Sequence, residues 1–293
     1  MDNVNIKITS KYNNYTIKEF LKANHIGRGR VEEIRVKKSA LVNNEVKPLE
    51  YVLKENDILT FIIDEKVDFL SDDKKLDIVY EDDYLLIVNK EANMLVHPDS
   101  KNKRGTLVNI VANYYNKNNI KRNIRYIHRI DKETTGIVIF AKDFLSEAIL
   151  INENESFLIE KIYLALVSGY FKEKEGKIDY KIAKKPYSNL MMVDNKYGKD
   201  ALTYYKEIKR YNDYSLVMFN IKTGRTHQIR VHSSYLNHPL LGDVMYGGNK
   251  KLINRVALHS YNVRFIHPIL NTKMNIKCKV SNDIKQLCGG YDD

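Results

Sequence analysis

The sequence predicts an α+β protein: a mixed, largely antiparallel sheet with flanking helices, preceded by a small α+β unit. Three observations carry that expectation. Strand-like apolar runs recur at Ile78-Val79-Tyr80, Leu85–Val88, Ile137–Ala141, Ile162–Val167, Tyr214–Ile221 and Gln228–His232. Helical patterns begin at Thr106 and Asp143 between those runs, which suits helices packed on one sheet. Residues 64–75 break the pattern, with Asp64, Glu65, Asp68, Asp72 and Asp73 set among lysines and few apolar residues.

Taken in order, Met1–Ser10 alternates polar and apolar residues. Thr16–Ala23 places Ile17, Phe20 and Leu21 at helical spacing, and Val31–Val36 repeats this more weakly. Leu41-Val42 before an Asn43-Asn44 turn, and Ile58–Ile63 after Glu55-Asn56-Asp57, read as strands. The charged stretch then reads as a solvated linker. The expected division is 1–64, a linker at 65–75, and 76–293. In the second unit Asp82-Asp83 makes a turn, and Thr106 caps a helix lined by Leu107, Ile110, Val111 and Tyr114. Asp143 caps another helix that runs through Asn154. No internal repeat is visible.

With 293 residues and 43% hydrophobic content, the chain can bury a real core. Lys+Arg 48 against Asp+Glu 37 gives +11 and a pI near 9.3, a field that favours a polyanion or an anionic surface. Cys278 and Cys288 supply neither a disulfide framework nor a metal cluster, so a reduced, cytoplasmic setting is expected. No signal-like N-terminus and no long apolar span is present, so no membrane partner is expected.

The most informative stretch is His128-Arg129-Ile130-Asp131-Lys132-Glu133-Thr134-Thr135-Gly136. Polar turn residues follow Asp131, Gly136 can take positive φ, and an apolar strand continues. A carboxylate is thus presented on a loop between rigid elements. A turn-capping aspartate is the plain alternative.

Other blocks occur in a fixed order around it: Tyr80-Glu81-Asp82 through Val88-Asn89-Lys90, Lys161–Val167, Thr223–His232, Gly242-Asp243 with Tyr246-Gly247, and Leu258-His259 before His267-Pro268. Together they resemble the RluA-type family of RNA pseudouridine synthases, whose signature is His-Arg-Leu-Asp followed by Thr-Ser-Gly. Here Ile130 replaces Leu and Thr135 replaces Ser. Lys90-Glu91-Ala92-Asn93 departs from the family's Lys-Pro-Ala/Ser-Gly, although Asn accepts the left-handed region.

The resemblance implies an isomerisation of uridine in RNA that needs no cofactor or metal. Asp131 would be the carboxylate at C1′, as nucleophile or as base on the 2′ hydrogen. Arg225 would pair with Asp131. Tyr163 would stack on uracil and accept the C5 proton, directly or through water. Arg129 would fill the space left by the flipped base, and His128 would support the loop. Tyr163 has a plain alternative as a core tyrosine, and Arg225 as a phosphate contact.

The N-terminal unit resembles an S4-type RNA-binding domain at Ile26–Val31 and Val42-Asn43-Asn44. Its Lys18, Lys22, Arg28, Arg30, Lys37 and Lys38 would meet phosphates of structured RNA. Large ribosomal RNA is the expected partner of a monomer, with transfer RNA or a non-catalytic RNA-binding role as alternatives. Glycine-rich nucleotide loops are incomplete at Gly27-Arg28-Gly29 and Gly198-Lys199. His227 and His232, read in a strand, point apart and cannot share a metal. Glu133 sits in a turn with nothing evident to fix it, which argues against a two-carboxylate glycosidase.

Overall fold

The computed structural model describes residues 2–101, 103–156, 158–188 and 190–289. Alternation at the N-terminus makes a strand that the apolar runs did not mark: in β1 (Asp2–Lys7), Val4 and Ile6 point inward. In α1 (Ile17–Ala23) the three apolar residues are buried as their spacing predicts. A capping box closes its start: the Glu19 amide donates to Thr16 Oγ1 at 3.2 Å and the Thr16 amide donates to Glu19 Oε2 at 2.7 Å. After α2 (Arg28–Lys37) come β2 (Ala40–Val42), β3 (Glu45–Val46) and β4 (Ile58–Ile63), in a sheet ordered β1-β4-β2-β3. Asn43 and Asn44 take φ of 52° and 69°, the paired positive values that a tight hairpin turn requires.

The second unit begins with the hairpin of β5 (Ile78–Glu81) and β6 (Leu85–Lys90). Asp82 fixes its turn, accepting from the Tyr84 and Leu85 amides at 2.8 and 2.7 Å, and from Tyr80 Oη and His267 Nε2 at 2.6 and 2.9 Å. Burial alone would raise this carboxyl. The hydrogen bonds from His267, Tyr80 and the two amides outweigh burial and hold it at about 2. Next come α3 (Leu107–Lys117), β7 (Arg125–Tyr126) and β8 (Thr135–Ala141), whose seven residues are all buried. The Asp143 carboxylate caps α4 (Phe144–Glu155) by accepting from the Leu145 and Ser146 amides, both at 2.9 Å. The strands β9 (Glu160–Ser168), β10 (Glu175–Ile178), β11 (Ile182–Lys184), β12 (Met191–Val193), β13 (Thr203–Arg210) and β14 (Tyr214–Ile221) lead to α5 (Gln228–Tyr235). The chain finishes with β15 (Leu258–Ile266), β16 (Lys273–Lys277) and α6 (Asn282–Leu287).

The large sheet runs β10-β13-β14-β9-β15-β8-β6-β5, with β16 on β15 and β7 on β8. The β8–β15 pairing is parallel and the other strand pairs are antiparallel, so the sheet is mixed and largely antiparallel. β15 is the strand that builds the site. Gly136 at the head of β8 and Tyr163 on β9 both stand opposite Ser260, which brings the Asp131 loop beside Tyr163. Gly136 has φ 108°, and a Cβ there would lie 2.2 Å from Ser260 O, so this crossing needs glycine. Among the described residues no helix is long and apolar enough to cross a membrane.

One expectation is corrected. Gln228–His232 is helical: Ile229 and Val231 mimic strand alternation, but the Val231 amide donates to His227 O at 2.9 Å in the helical pattern. Residues 65–75 are exposed at Lys66, Asp68, Leu70 and 73–75, as a solvated linker would be, but the segment is also tied down. Glu65 accepts from Arg125, from Arg30 Nη2 at 3.1 Å and from the Asn123 amide at 3.1 Å, while Val67 and Phe69 pack on the main core. The opposite charges that bury the Glu65 carboxylate lie far away in sequence and cannot be seen locally. The two units also share a core. Phe144 and Leu145 of α4 are buried among N-terminal residues, the Phe144 ring meets Phe61 edge-on at 5.5 Å, and the Arg30 guanidinium lies 5.1 Å over Phe144.

Candidate active site

The Asp131 loop is pinned from behind. The Thr134 amide donates to Asp131 O at 3.1 Å, closing the turn. Lys90 Nζ donates to Glu91 O at 2.7 Å, Met94 O at 2.8 Å and Lys132 O at 3.2 Å, tying two loops together. Burial, with the Arg255 charge adding, pushes Lys90 down to about 7. Arg255 Nη1 donates to Glu133 O at 3.1 Å while its fork holds Asp283. Glu133, expected to be unfixed, is held: the Val256 amide donates to its Oε2 at 3.0 Å. That bond ties its carboxylate to the segment just before β15.

Asp131 lines a cavity of about 780 Å³ together with Tyr163, Arg129, Arg225, His227 and Arg230. Its charged partner is Arg230, whose Nη1 donates to Asp131 Oδ2 at 3.1 Å. Arg230 is itself fixed by a two-pronged bond to buried Asp243, at 2.7 and 2.8 Å. The expected pairing with Arg225 is therefore corrected. Arg225 precedes the turn into α5, and its Nε donates to Asp200 O at 2.9 Å, so its guanidinium lies at the wall of the cavity. One signal for Arg230 was present in the sequence: an arginine between apolar Ile229 and Val231 needs a buried partner.

His227 completes the carboxylate's surroundings. At φ 55° it starts α5, with Nε2 3.8 Å from Asp131 Oδ2 and Nδ1 2.8 Å from Tyr246 Oη. Tyr246 Oη in turn accepts from the Met191 amide at 2.9 Å, which fixes the phenol beside the imidazole. Burial lowers His227 against the raising effect of Asp131.

Tyr163 is buried on β9, and burial, reinforced by the Asp131 charge, pushes its phenol far up. The ring presents a neutral face to the cavity. Arg129 is exposed at the mouth, its Nη1 2.6 Å from His97 Nε2. His97 Nδ1 stands 2.6 Å from Pro98 O, which can only accept, so Nδ1 carries the proton and Nε2 accepts from Arg129. His128 is buried beneath the loop, its Nε2 accepting from the Ile139 amide at 3.4 Å. Burial first, and the Lys161 charge second, push it down to about 3. Among the described residues no group of three His, Cys, Asp or Glu side chains gathers to hold a metal.

The N-terminal basic residues divide. Lys18, Lys22, Arg28 and Lys38 are exposed. Arg30 is half-buried and held by Glu33, Glu65 and the Phe144 ring, while Lys37 is exposed and pairs with Glu33 at 3.0 Å along the helix surface.

Comparison with known proteins gives this geometry a family. The RNA pseudouridylate synthase family model matches residues 84–235, and the RluD ribosomal pseudouridine synthase N-terminal domain model matches residues 4–59. The chain is 32% identical over 279 residues to the uncharacterized RNA pseudouridine synthase YjbO of Bacillus subtilis, spanning 94% of this chain and 99% of that protein. It is 32% identical over 277 residues to the ribosomal large subunit pseudouridine synthase D of Escherichia coli, spanning 89% and 85%. Among solved structures, human RNA pseudouridylate synthase domain containing 1 superposes with a TM-score of 0.59 at 25% identity, over 70% of this chain and 83% of that one. With matches to catalytic and N-terminal domains alike, the chain belongs to the RNA pseudouridylate synthase family, isomerases that convert uridine in RNA to pseudouridine.

Proposed function

We propose that this enzyme acts on large-subunit ribosomal RNA, with Asp131 working at the sugar and Tyr163 against the base. The observation that carries the reading is Asp131 on a pinned loop, 3.1 Å from Arg230, in one cavity with Tyr163. The reaction breaks the bond from C1′ to N1, turns the uracil and joins C1′ to C5. The C5 proton leaves and N1 gains one, so no oxidant or reductant is consumed. Either role of Asp131, nucleophile at C1′ or base on the 2′ hydrogen, uses a charged carboxylate, and Arg230 orients it. Neutral, buried Tyr163 stacks on uracil, and its oxygen takes the C5 proton as its own hydroxyl proton leaves to water, so the phenol is neutral before and after.

Extracting the base costs roughly a few kcal/mol. Arg129 leaves His97 and enters the vacated stack, while Arg225 meets a phosphate at the cavity wall. Lys18, Lys22, Arg28 and Lys38 follow phosphates outside. Two free buried cysteines support a cytoplasmic setting. The ribosomal target is supported by relatives named for the large subunit. Mapping pseudouridine in ribosomal and transfer RNA, from cells with and without this protein, tests it. A site lost from large-subunit RNA is expected, and loss confined to transfer RNA would overturn that target.

A further inference from the structure

Lys161 is a buried cation that the chemistry above does not use. It lies on β9 two residues before Tyr163, so both side chains stand on the same face of the sheet, about 7 Å apart along the strand. Only 5% of the residue is exposed, yet it lines the same cavity as Asp131 and Tyr163. Its amine donates to the neutral Asn154 Oδ1 at 2.6 Å, and among the described residues no carboxylate pairs with it. A buried charge is ordinarily matched by an opposite one. Here the match is missing, and burial draws the amine down to about 8.

The neighbouring groups are donors too. His128 is nine-tenths buried and lines the cavity beside Lys161. Its Nε2 accepts from the Ile139 amide, so the proton sits on Nδ1, which has no partner. Gly224 passes close by: a Cβ there would come 3.9 Å from Lys161 Nζ. An amine, an imidazole N–H and the Asn154 amide thus line one stretch of the cavity, and no carboxylate bonds the amine. Such a set fits an anion with several acceptor oxygens.

We propose that Lys161, His128 and Asn154 form an internal seat for one phosphodiester of the RNA, that of the extruded uridine, which enters the cavity with its base. This rests on the reading of Tyr163 as the base platform, because the strand spacing between Lys161 and Tyr163 then matches the reach from a base to its own phosphate. Filling the seat gives Lys161 its missing counter-charge and anchors the sugar between phosphate and base, where Asp131 must meet C1′.

The depth of Lys161 makes the test specific. A lysine this buried cannot touch phosphates of an RNA lying on the surface, so it contributes to the salt dependence of binding only if a phosphate comes inside. Binding of large-subunit ribosomal RNA is measured against salt for the wild-type protein, Lys161→Gln, Lys161→Arg and Asn154→Ala. Lys161→Gln is expected to bind about tenfold more weakly and to lower the log–log salt slope by about 0.7 to 0.9. Lys161→Arg should keep the slope. A Lys161→Gln protein with wild-type unfolding behaviour and an unchanged slope would overturn the seat, and would point to a contact with a neutral uracil oxygen, which releases no counterion. If Lys161→Gln fails to fold, the slope of Asn154→Ala decides, since losing the amide lets the amine swing away and lowers it in the same direction. The slope is read without turnover. A failed seat in an active enzyme is thereby distinguished from an enzyme that makes no pseudouridine.

Discussion

Replacing Arg230 with Met separates its two tasks. The side chain is 8% exposed and holds Asp243, 1% exposed, through two bonds while touching Asp131 with a third. Removing it leaves Asp243 as an uncompensated buried carboxylate, which costs about 3–5 kcal/mol. With a urea slope of about 3 kcal/mol per molar, the midpoint falls by roughly 1–2 M. Adding Asp243→Leu to Arg230→Met removes the stranded charge and should recover most of that loss. It cannot restore the guanidinium beside Asp131, so single-turnover pseudouridine formation should stay at least about 100-fold down, the scale of about 2.7 kcal/mol for a lost electrostatic contact at a reacting group. Arg225→Met should instead weaken RNA binding and leave the saturated rate near wild type. An Arg230→Met/Asp243→Leu protein that folds and turns over normally, with Arg225→Met inactive, would refute the assignment of Arg230 as the partner of Asp131.

Asp82→Asn should lower stability by about 2 kcal/mol at neutral pH, from 1.36 kcal/mol per unit between 3.8 and about 2. The folded value is depressed, so this contribution is present above pH 4 and is lost as pH falls toward 2. Unfolding curves of the variant and wild type should therefore converge there, and a constant gap would contradict the carboxylate's role. Gly136→Ala should fail to yield folded protein or melt far below wild type, because its Cβ meets Ser260 O at 2.2 Å. Normal melting would show that β8 and β15 separate freely. Deleting residues 1–64 uncovers Phe144 and Leu145, so the remainder should aggregate unless both are made polar. The repaired truncation should still form pseudouridine under saturating RNA, with a flatter salt slope, and a soluble unrepaired truncation would deny the shared core.

The sheet was legible where apolar runs are long, as at Ile137–Ala141 and Tyr214–Ile221, because burial on both faces leaves little else for such residues to do. α5 was not, since Ile229 and Val231 alternate like a strand and the helix starts at His227 without a capping side chain. The strap at 65–75 reads as solvent-facing because the partner that buries Glu65, Arg125, is 60 residues distant. That Asp131 and Tyr163 line one cavity was legible through their sequence blocks. The choice between Arg225 and Arg230 was not, because only the turn at His227 decides which guanidinium reaches the carboxylate.

The proposed role of Asp131 is chemistry at the sugar and not merely the capping of a turn. Single-turnover reactions on RNA labelled with tritium at uridine C5 report loss of the C5 proton directly, alongside pseudouridine formed. Asp131→Asn keeps nearly the same shape, so it should bind RNA as tightly as wild type and release no tritium. Tritium release and pseudouridine formation by Asp131→Asn near the wild-type rate would contradict the claim.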